Sequence, residues 1–284
     1  MYINTVYIYK LIRGRLPVAV VKSADRVIQI FEAISAREDG VTHGELSGAL
    51  AIPKGSLSFL LSNLIERDYV TLDRSSKRYT LGPALLVLTS RYLAGLDIVR
   101  AGRPVLRDLV REINEDAELV VMKGAEILIL HKEDSSRPLK HAIAIGDRGP
   151  VYATAAGKAI LAYLPEDEIS RYLSSVRLTR LAKNTITSPG ALRRELGEVR
   201  ARGLAYGREE LYDGVSTVAA PVFSLDDAVA GSIVVTLPSF RFTPEKERFI
   251  EPRLRRASAS ISRELGWARG PEGRERGKGE ARGA

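Results

Sequence analysis

Thr154-Ala155-Ala156-Gly157-Lys158-Ala159 combines a capping hydroxyl, three small residues and a lysine. If a helix opens there, Thr154 caps it and its first N–H groups stand free with nothing bulky above them, which suits an anion. The competing reading is a plain helix cap without a ligand. Lys158 also invites a nucleotide phosphate loop. That pattern needs a glycine where Tyr152 stands and a serine or threonine where Ala159 stands, so the spacing argues against nucleotide hydrolysis. The remaining candidates for chemistry are few. His43, His131 and His141 are the only histidines and cysteine is absent, so disulfides and thiolate metal sites are excluded. His131 and His141 can neighbour each other across strands, but two histidines do not complete a zinc site, and no metal or cofactor is expected. Glu209, Glu210 and Asp213 are the only dense acids near the candidate loop. No histidine is close to them in sequence, so no catalytic residue is assigned.

A second stretch, Ile52 to Leu64 (IPKGSLSFLLSNL), suits a nucleic acid. Leu57, Leu60, Leu61, Leu64 and Ile65 make one apolar stripe at helical spacing. The other face carries Lys54, Gly55, Ser56, Ser58, Phe59, Ser62 and Asn63. Small and hydrogen-bonding residues at a helix start let backbone and side chains approach phosphates and base edges. Phe59 either touches a thymine methyl group or, the blander and favoured reading, packs under a neighbouring hairpin.

The elements that position this helix can be read around it. Ala24, Val27, Ile28, Phe31 and Ile34 give a first helix, with Ser23 as its expected N-cap. Thr42 and Glu45 form a capping box that starts a second helix at His43. Pro53 breaks that helix and suits the first turn of the next. YVTLDRSSKRYTL then alternates about the tip Asp73 to Lys77, predicting two strands and a wing with Arg74, Lys77 and Arg78 at or beside the tip. Helix, capped helix, turn, helix and basic hairpin describe a winged helix-turn-helix, with double-stranded DNA as partner. The alternative is a three-helix bundle with a solvated face. Acids and bases balance between Lys22 and Gly82, so the placement of charge supports DNA and its total does not.

The whole chain is 284 residues with net charge +8, which predicts about two domains and favours an anionic partner. Hydrophobic content of 45% and charged content of 27% are those of a globular protein. No stretch reaches the roughly 18 apolar residues of a spanning helix. No membrane partner is expected, and the missing cysteines fit a cytoplasmic setting. Residues 1–21 read as a short strand, a loose extension or an over-extended start of the reading frame. The basic, glycine-rich end, 267–284, is expected to be disordered.

VKSADRVIQIFEAI, IPKGSLSFLLSNLIERDYV and RYTLG together resemble the DNA-binding domain of IclR-type transcriptional regulators. PVYATAAGKAILAYLP, the NTITSPG…GVSTVAAPVF segment and RFTPE are similar to that family's effector domain, so the resemblance runs from about Val21 to Gly266. It implies an α+β protein in five parts: an N-terminal extension (1–21), a winged helix-turn-helix (22–82), a linker helix (83–100), a GAF-like α/β effector domain (101–266) and the tail (267–284). It also implies a homodimer or tetramer that senses a small anionic effector. Carried over by position, Ala155 and Ala156 hold the effector through their backbone beside Gly157, and Val215, Thr217, Val234 and Thr236 line the facing wall. Two departures stand out. Many members have a cysteine where Thr217 stands and an acid where Gly207 stands, so this pocket is expected to be less polar and its ligand larger or more apolar. In the recognition helix, Gly55 and Phe59 replace the usual polar pattern.

Pro83 to Leu96 predicts an apolar linker helix, for which pairing with a second copy is the simplest cover. Beyond it, strands are expected at 117–122, 126–132, 140–145, 215–223 and 229–237. Helices are expected at 99–113, 154–164, 191–202 and from Thr243 to about Leu265. Two other functions fit the same residues: an enzyme on small acids with an appended nucleic-acid module, and a DNA-binding protein whose effector pocket has degenerated.

Overall fold

The computed structural model describes residues 21–139, 141–225 and 227–267. Residues 1–20 of the expected extension and 268–284 of the expected tail lie outside the described residues. The chain divides into two compact units between Gly95 and Leu96.

The first unit contains α1 (Lys22–Ser35), β1 (Val41–Thr42), α2 (His43–Leu50), α3 (Lys54–Glu66), β2 (Val70–Asp73), β3 (Arg78–Leu81) and α4 (Ala84–Ala94). The α2 capping box is complete: Thr42 Oγ1 accepts from Glu45 N at 3.3 Å, and Glu45 Oε2 accepts from Thr42 N at 2.8 Å. Ala51, with φ 51°, makes the left-handed step into Pro53 and α3. Ile30, Ile34, Leu46, Ile52, Leu57, Leu61, Leu64 and Val70 form one core. Each such aliphatic burial contributes about 1.5–3 kcal/mol, which is what holds α3 on its neighbours. Two details of α1 differ from expectation. It is entered from Val21 without a side-chain cap, and Ile30 takes the core position while Ile28 is exposed. β3 is the middle strand of a three-stranded sheet, paired with both β2 and β1.

The second unit contains α5 (Asp97–Ile113), β4 (Asp116–Lys123), β5 (Glu126–Glu133), β6 (Arg148–Pro150), α6 (Ala155–Leu161), α7 (Glu166–Ser175), α8 (Pro189–Arg202), β7 (Ala205–Arg208), β8 (Val215–Phe223), β9 (Val229–Pro238) and α9 (Pro244–Glu264). One six-stranded antiparallel sheet has the order β6-β5-β4-β9-β8-β7. Helices α5 and α9 cover one face, and α6 lies on the other, backed by α8. The sheet face under α6 contributes Val120, Ile129, Ala219 and Val234 to a core with Ala155, Ala156, Leu192 and Leu196. This is the α+β fold that the sequence implied.

Two expectations fail. Residues 141–145 are not a strand; the third strand of that edge is Arg148–Pro150, paired with 126–128. The alternating apolar residues instead belong to a turn closed by Asp147, whose Oδ2 accepts from Ala144 N at 2.8 Å. Trp267, assigned to the disordered tail, is buried. It stacks on Phe223 at 4.9 Å, and its Nε1 donates to Asp227 Oδ1 at 2.7 Å. A large aromatic with a satisfied indole N–H gains more from packing than its glycine-rich context suggested.

Candidate DNA-binding and effector sites

The apolar stripe of α3 points inward and leaves Lys54, Gly55, Ser56, Ser58, Phe59, Ser62 and Asn63 exposed on the opposite side. Phe59 is 82% exposed, so the favoured reading, packing under the wing, is overturned. The cause is helical geometry: Phe59 lies two residues, about 200°, round the helix from buried Leu57. Ser58 Oγ donates to Lys54 O at 3.0 Å, and His43 Nε2 lies 3.0 Å from the same hydroxyl. His43, at the first turn of α2, therefore joins this face. Nothing in the sequence reading gave it a role there beyond starting a helix.

The wing tip is built by Asp73. Its carboxylate accepts from Ser75 N at 2.8 Å, Ser75 Oγ at 2.6 Å and Ser76 Oγ at 2.7 Å. The Ser75 and Ser76 hydroxyls, with the Ser75 N–H, hold its pKa well below the usual carboxylate range. Lys77 sits in the left-handed region, φ 57°, and both it and Arg74 are exposed at the tip. Arg78 behaves differently. It is half-buried and donates to Gly40 O at 2.9 Å, tying the base of the wing to the loop before β1.

In the second unit, strand register brings together residues far apart in sequence. Gly207 pairs with Thr217, and Thr217 pairs with Thr236. Directly opposed residues share a sheet face, and so do alternate residues along a strand. Val215, Thr217, Val234 and Thr236 therefore lie on the face under α6. A Cβ added to Gly207 would lie 2.5 Å from Thr217 Oγ1 and 3.5 Å from Ala155 N. The start of α6 thus meets the sheet at this glycine. Thr154 caps α6, accepting from Gly157 N at 3.0 Å, and the first intrahelical bond runs from Lys158 N to Thr154 O. The N–H groups of Ala155 and Ala156 precede that bond. Gly157 serves packing instead: a Cβ there would lie 2.2 Å from Val151 O. Ala156 O accepts from Ser232 Oγ at 3.2 Å, which locks α6 to the sheet.

Lys158 has no exposure and is clamped by Glu210, Nζ to Oε1 2.6 Å, with Glu195 at 3.6 Å. Burial, opposed by Lys158, pushes the Glu210 carboxyl up. Glu209 pairs with Lys183 at 2.7 Å, and Asp213 accepts from Lys183 N at 3.0 Å. The three acids considered for catalysis are therefore engaged in holding the loop around them. His131 lies 2.9 Å from Glu133, while the His141 ring packs on Tyr212 at 4.9 Å. Among the described residues no group of three or more metal-ligating side chains is assembled.

Glu118 escaped the sequence reading. It pairs in register with Val234 and Lys132, so it lies on the α6 face. It is 1% exposed; Oε2 accepts from Thr236 Oγ1 at 3.0 Å, and Oε1 has no hydrogen-bond partner among the described residues. Burial pushes its pKa up to about 8, against the Thr236 hydrogen bond, which favours ionisation.

Comparison with known proteins finds two family matches along the chain. The IclR helix-turn-helix domain matches residues 23–74, and the bacterial transcriptional regulator IclR C-terminal domain matches residues 90–263. The HTH-type transcriptional regulator KdgR of Escherichia coli (strain K12) is 32% identical over 249 residues, 86% of this chain and 94% of that protein. The crystal structure of the Thermotoga maritima IclR superposes with TM-score 0.77 at 27% identity, covering 87% of this chain and 99% of that one. An IclR homologue complexed with 4-hydroxybenzoate, from Microbacterium hydrocarbonoxydans, shares the fold at TM-score 0.75 and 21% identity, covering 86% of this chain and 98% of that one.

Proposed function

This chain belongs to the IclR family and is a DNA-binding transcription regulator, and from that premise we propose that a small organic acid bound in the second unit sets its DNA affinity. On DNA, Lys54, Gly55, Ser56, Ser58, Phe59 and Ser62 of α3 face the major groove, and Arg74 and Lys77 contact phosphates from the wing. Arg78 supports the wing rather than the duplex. The observation that carries the effector reading is the close approach of the start of α6 to the sheet at Gly207, where a Cβ would lie 2.5 Å from Thr217 Oγ1 and 3.5 Å from Ala155 N, so that a threonine hydroxyl and a helix-start N–H converge on a residue without a side chain. Ala155 and Ala156 hold the carboxylate, and Val215, Thr217, Val234 and Thr236 form the far wall. Gly157 helps only by letting α6 sit close to Val151. The acids that an enzyme reading requires are spent on ion pairs and loop closure, which favours a binding role over catalysis.

Leu86, Val87, Leu88 and Tyr92 of α4 are exposed. An apolar surface of this kind is covered most simply by the same helix of a second copy, giving a dimer or a dimer of dimers. No single described helix is long and apolar enough to cross a membrane, and a DNA-bound regulator works in the cytoplasm. The experiment is to map binding sites genome-wide, then titrate one recovered operator by fluorescence polarisation with and without hydroxy- and oxo-acids. At least one acid is expected to shift both the melting temperature and the operator affinity. Unchanged values across the panel would leave a constitutive DNA binder.

A further inference from the structure

We propose that Glu118 is a further residue of the effector site, a carboxyl that donates a hydrogen bond to a second oxygen of the effector and so selects hydroxy- and oxo-acids over simple carboxylic acids. This rests on the effector-site reading above. Three observations carry it. Glu118, on β4, shares the α6 face with Thr236 and Val234 of the neighbouring β9, two strands from Thr217 on β8. It is almost wholly buried, and Thr236 engages only one of its oxygens. The other oxygen has no hydrogen-bond partner among the described residues, although buried polar atoms are nearly always satisfied, so a missing ligand atom is the simplest completion.

The charges around Glu118 settle its form. Asp116 on its own strand accepts from Ser135 N at 2.7 Å and adds negative charge, as does Asp134. Lys132 on β5 is the cation facing it, but its Nζ is already committed to Asp134 at 2.9 Å and Ile143 O at 3.0 Å. From the segment beyond β5, His141 is depressed from its ordinary value, by burial first and then by Lys132, so it stays neutral at and above neutral pH. Thr236 offers a hydroxyl from β9. Burial without a dedicated cation keeps Glu118 protonated near neutrality. A protonated carboxyl can donate to an oxo, hydroxyl or carboxylate oxygen, whereas an ionised one would repel an acid.

The sign of the pH dependence follows. Donor and neutrality are present below a pKa of about 8 and are lost as pH rises through it. His141 titrates below neutrality, so it contributes nothing between pH 7 and 9. One unit above the pKa the protonated fraction is about one tenth, so affinity for an acid should fall about tenfold by pH 9.

The test uses the full chain and three pairs of probes: 4-hydroxybenzoate with benzoate, 4-oxopentanoate with pentanoate, and gluconate with hexanoate. Each is titrated by calorimetry at pH 7 and pH 9 against wild type, Glu118→Gln, Glu118→Leu and Gly207→Ala. For a pair that binds, wild type should prefer the oxygenated member by tenfold or more at pH 7 and lose most of that affinity at pH 9. Glu118→Gln, which keeps a donor and cannot ionise, should bind within about threefold at pH 7 and no longer respond to pH. Glu118→Leu should lose the preference. If Glu118 were only a buried structural carboxyl, Glu118→Gln would move the melting temperature and leave the wild-type pH profile in place, which overturns the proposal. If Glu118→Leu fails to fold, the Gln variant and the wild-type profile still decide. Gly207→Ala separates the two layers: weakened binding there with wild-type behaviour in both Glu118 variants removes Glu118 alone. No binding by any probe, or undiminished binding in Gly207→Ala, removes the effector-site reading and this proposal with it.

Discussion

Lys158 Nζ lies 2.6 Å from Glu210 Oε1 and 2.8 Å from Oε2, a buried ion pair joining α6 to the loop before β8 across 52 residues of sequence. Removing one partner of such a pair leaves an uncompensated charge and costs about 3–5 kcal/mol. Lys158→Met should therefore destabilise strongly at pH 7.5. Glu210 already resists ionisation through burial, and without Lys158 its folded pKa rises further above the unfolded value. A raised carboxyl stabilises the folded state below the unfolded pKa and loses that contribution as pH rises through the folded one. The deficit of Lys158→Met should thus shrink at pH 5.5, and Lys158→Met/Glu210→Leu should recover most of it. Urea titrations at the two pH values check this; a single variant within 1 kcal/mol of wild type would show that the pair is dispensable.

The wing separates stability from DNA contact. Lys77 holds a left-handed conformation that costs a side-chain-bearing residue about 1 kcal/mol. Lys77→Gly should relieve that strain and remove a phosphate contact together, giving a protein at least as stable that binds operator less tightly. Both Lys77→Gly and Arg74→Ala should reduce the slope of log affinity against log salt by roughly one each, alike for all DNA sequences. Gel shifts at several salt concentrations read the slope, and unchanged slopes would take the wing off the duplex.

Phe59, exposed and outside the core, offers a sharper separation. Phe59→Ala should change stability by less than about 0.5 kcal/mol, as for surface positions without special contacts. On DNA it should cost about 1–3 kcal/mol at an operator with thymine under the ring and little where cytosine replaces it. Equal losses on both operators would mean that the ring does not read the methyl group.

What could be read in sequence was what depends on near neighbours. Thr42 and Glu45 are three residues apart, and the capping box formed as spaced. The α3 stripe follows a single helical period. Phe59 could not be placed, because an apolar side chain on a polar face is equally well explained by packing or by recognition until its exposure is known. Lys158 and Glu210 meet across 52 residues, and nothing local marks either as a partner. Glu118 looks in sequence like the outward, polar member of an alternating strand, yet both faces of β4 are covered and its carboxyl is buried. The error at 141–145 has the same origin: alternation was present, but the partner strand was already taken by 148–150. Helix α7 and strand β7 were not anticipated at all. Both are short, and β7 is an edge strand defined by its pairing with β8.

The linker helix should decide the particle's size. Leu86 is 69% exposed on α4, so Leu86→Glu removes no core contact and should leave the melting temperature nearly unchanged. In a paired helix the same change buries a charge against an apolar partner. The variant should therefore elute and scatter as a smaller particle than wild type at equal concentration. Identical masses by light scattering would take α4 out of the interface.

Gly207 tests the effector seat without touching α6. Ala156→Leu is the obvious way to block the backbone donors, but Ala156 is buried in the core with its carbonyl bound to Ser232, so leucine there would overpack the fold. A methyl at position 207 instead projects between Thr217 Oγ1 and Ala155 N, at 2.5 Å and 3.5 Å. Only the Thr217 hydroxyl must give way, by rotation of one side chain, so Gly207→Ala should fold. The methyl then covers the Ala155 N–H and displaces the hydroxyl. Losing one or two hydrogen bonds to a charged group, at about 1.5–3 kcal/mol each, should lower acid affinity by one to two orders of magnitude or more. Operator binding without ligand should stay as in wild type, since the winged helix carries it. Calorimetry with any acid that shifts the wild-type melting temperature makes the comparison. Equal affinity in Gly207→Ala would mean that the start of α6 is a cap and that the acid binds elsewhere.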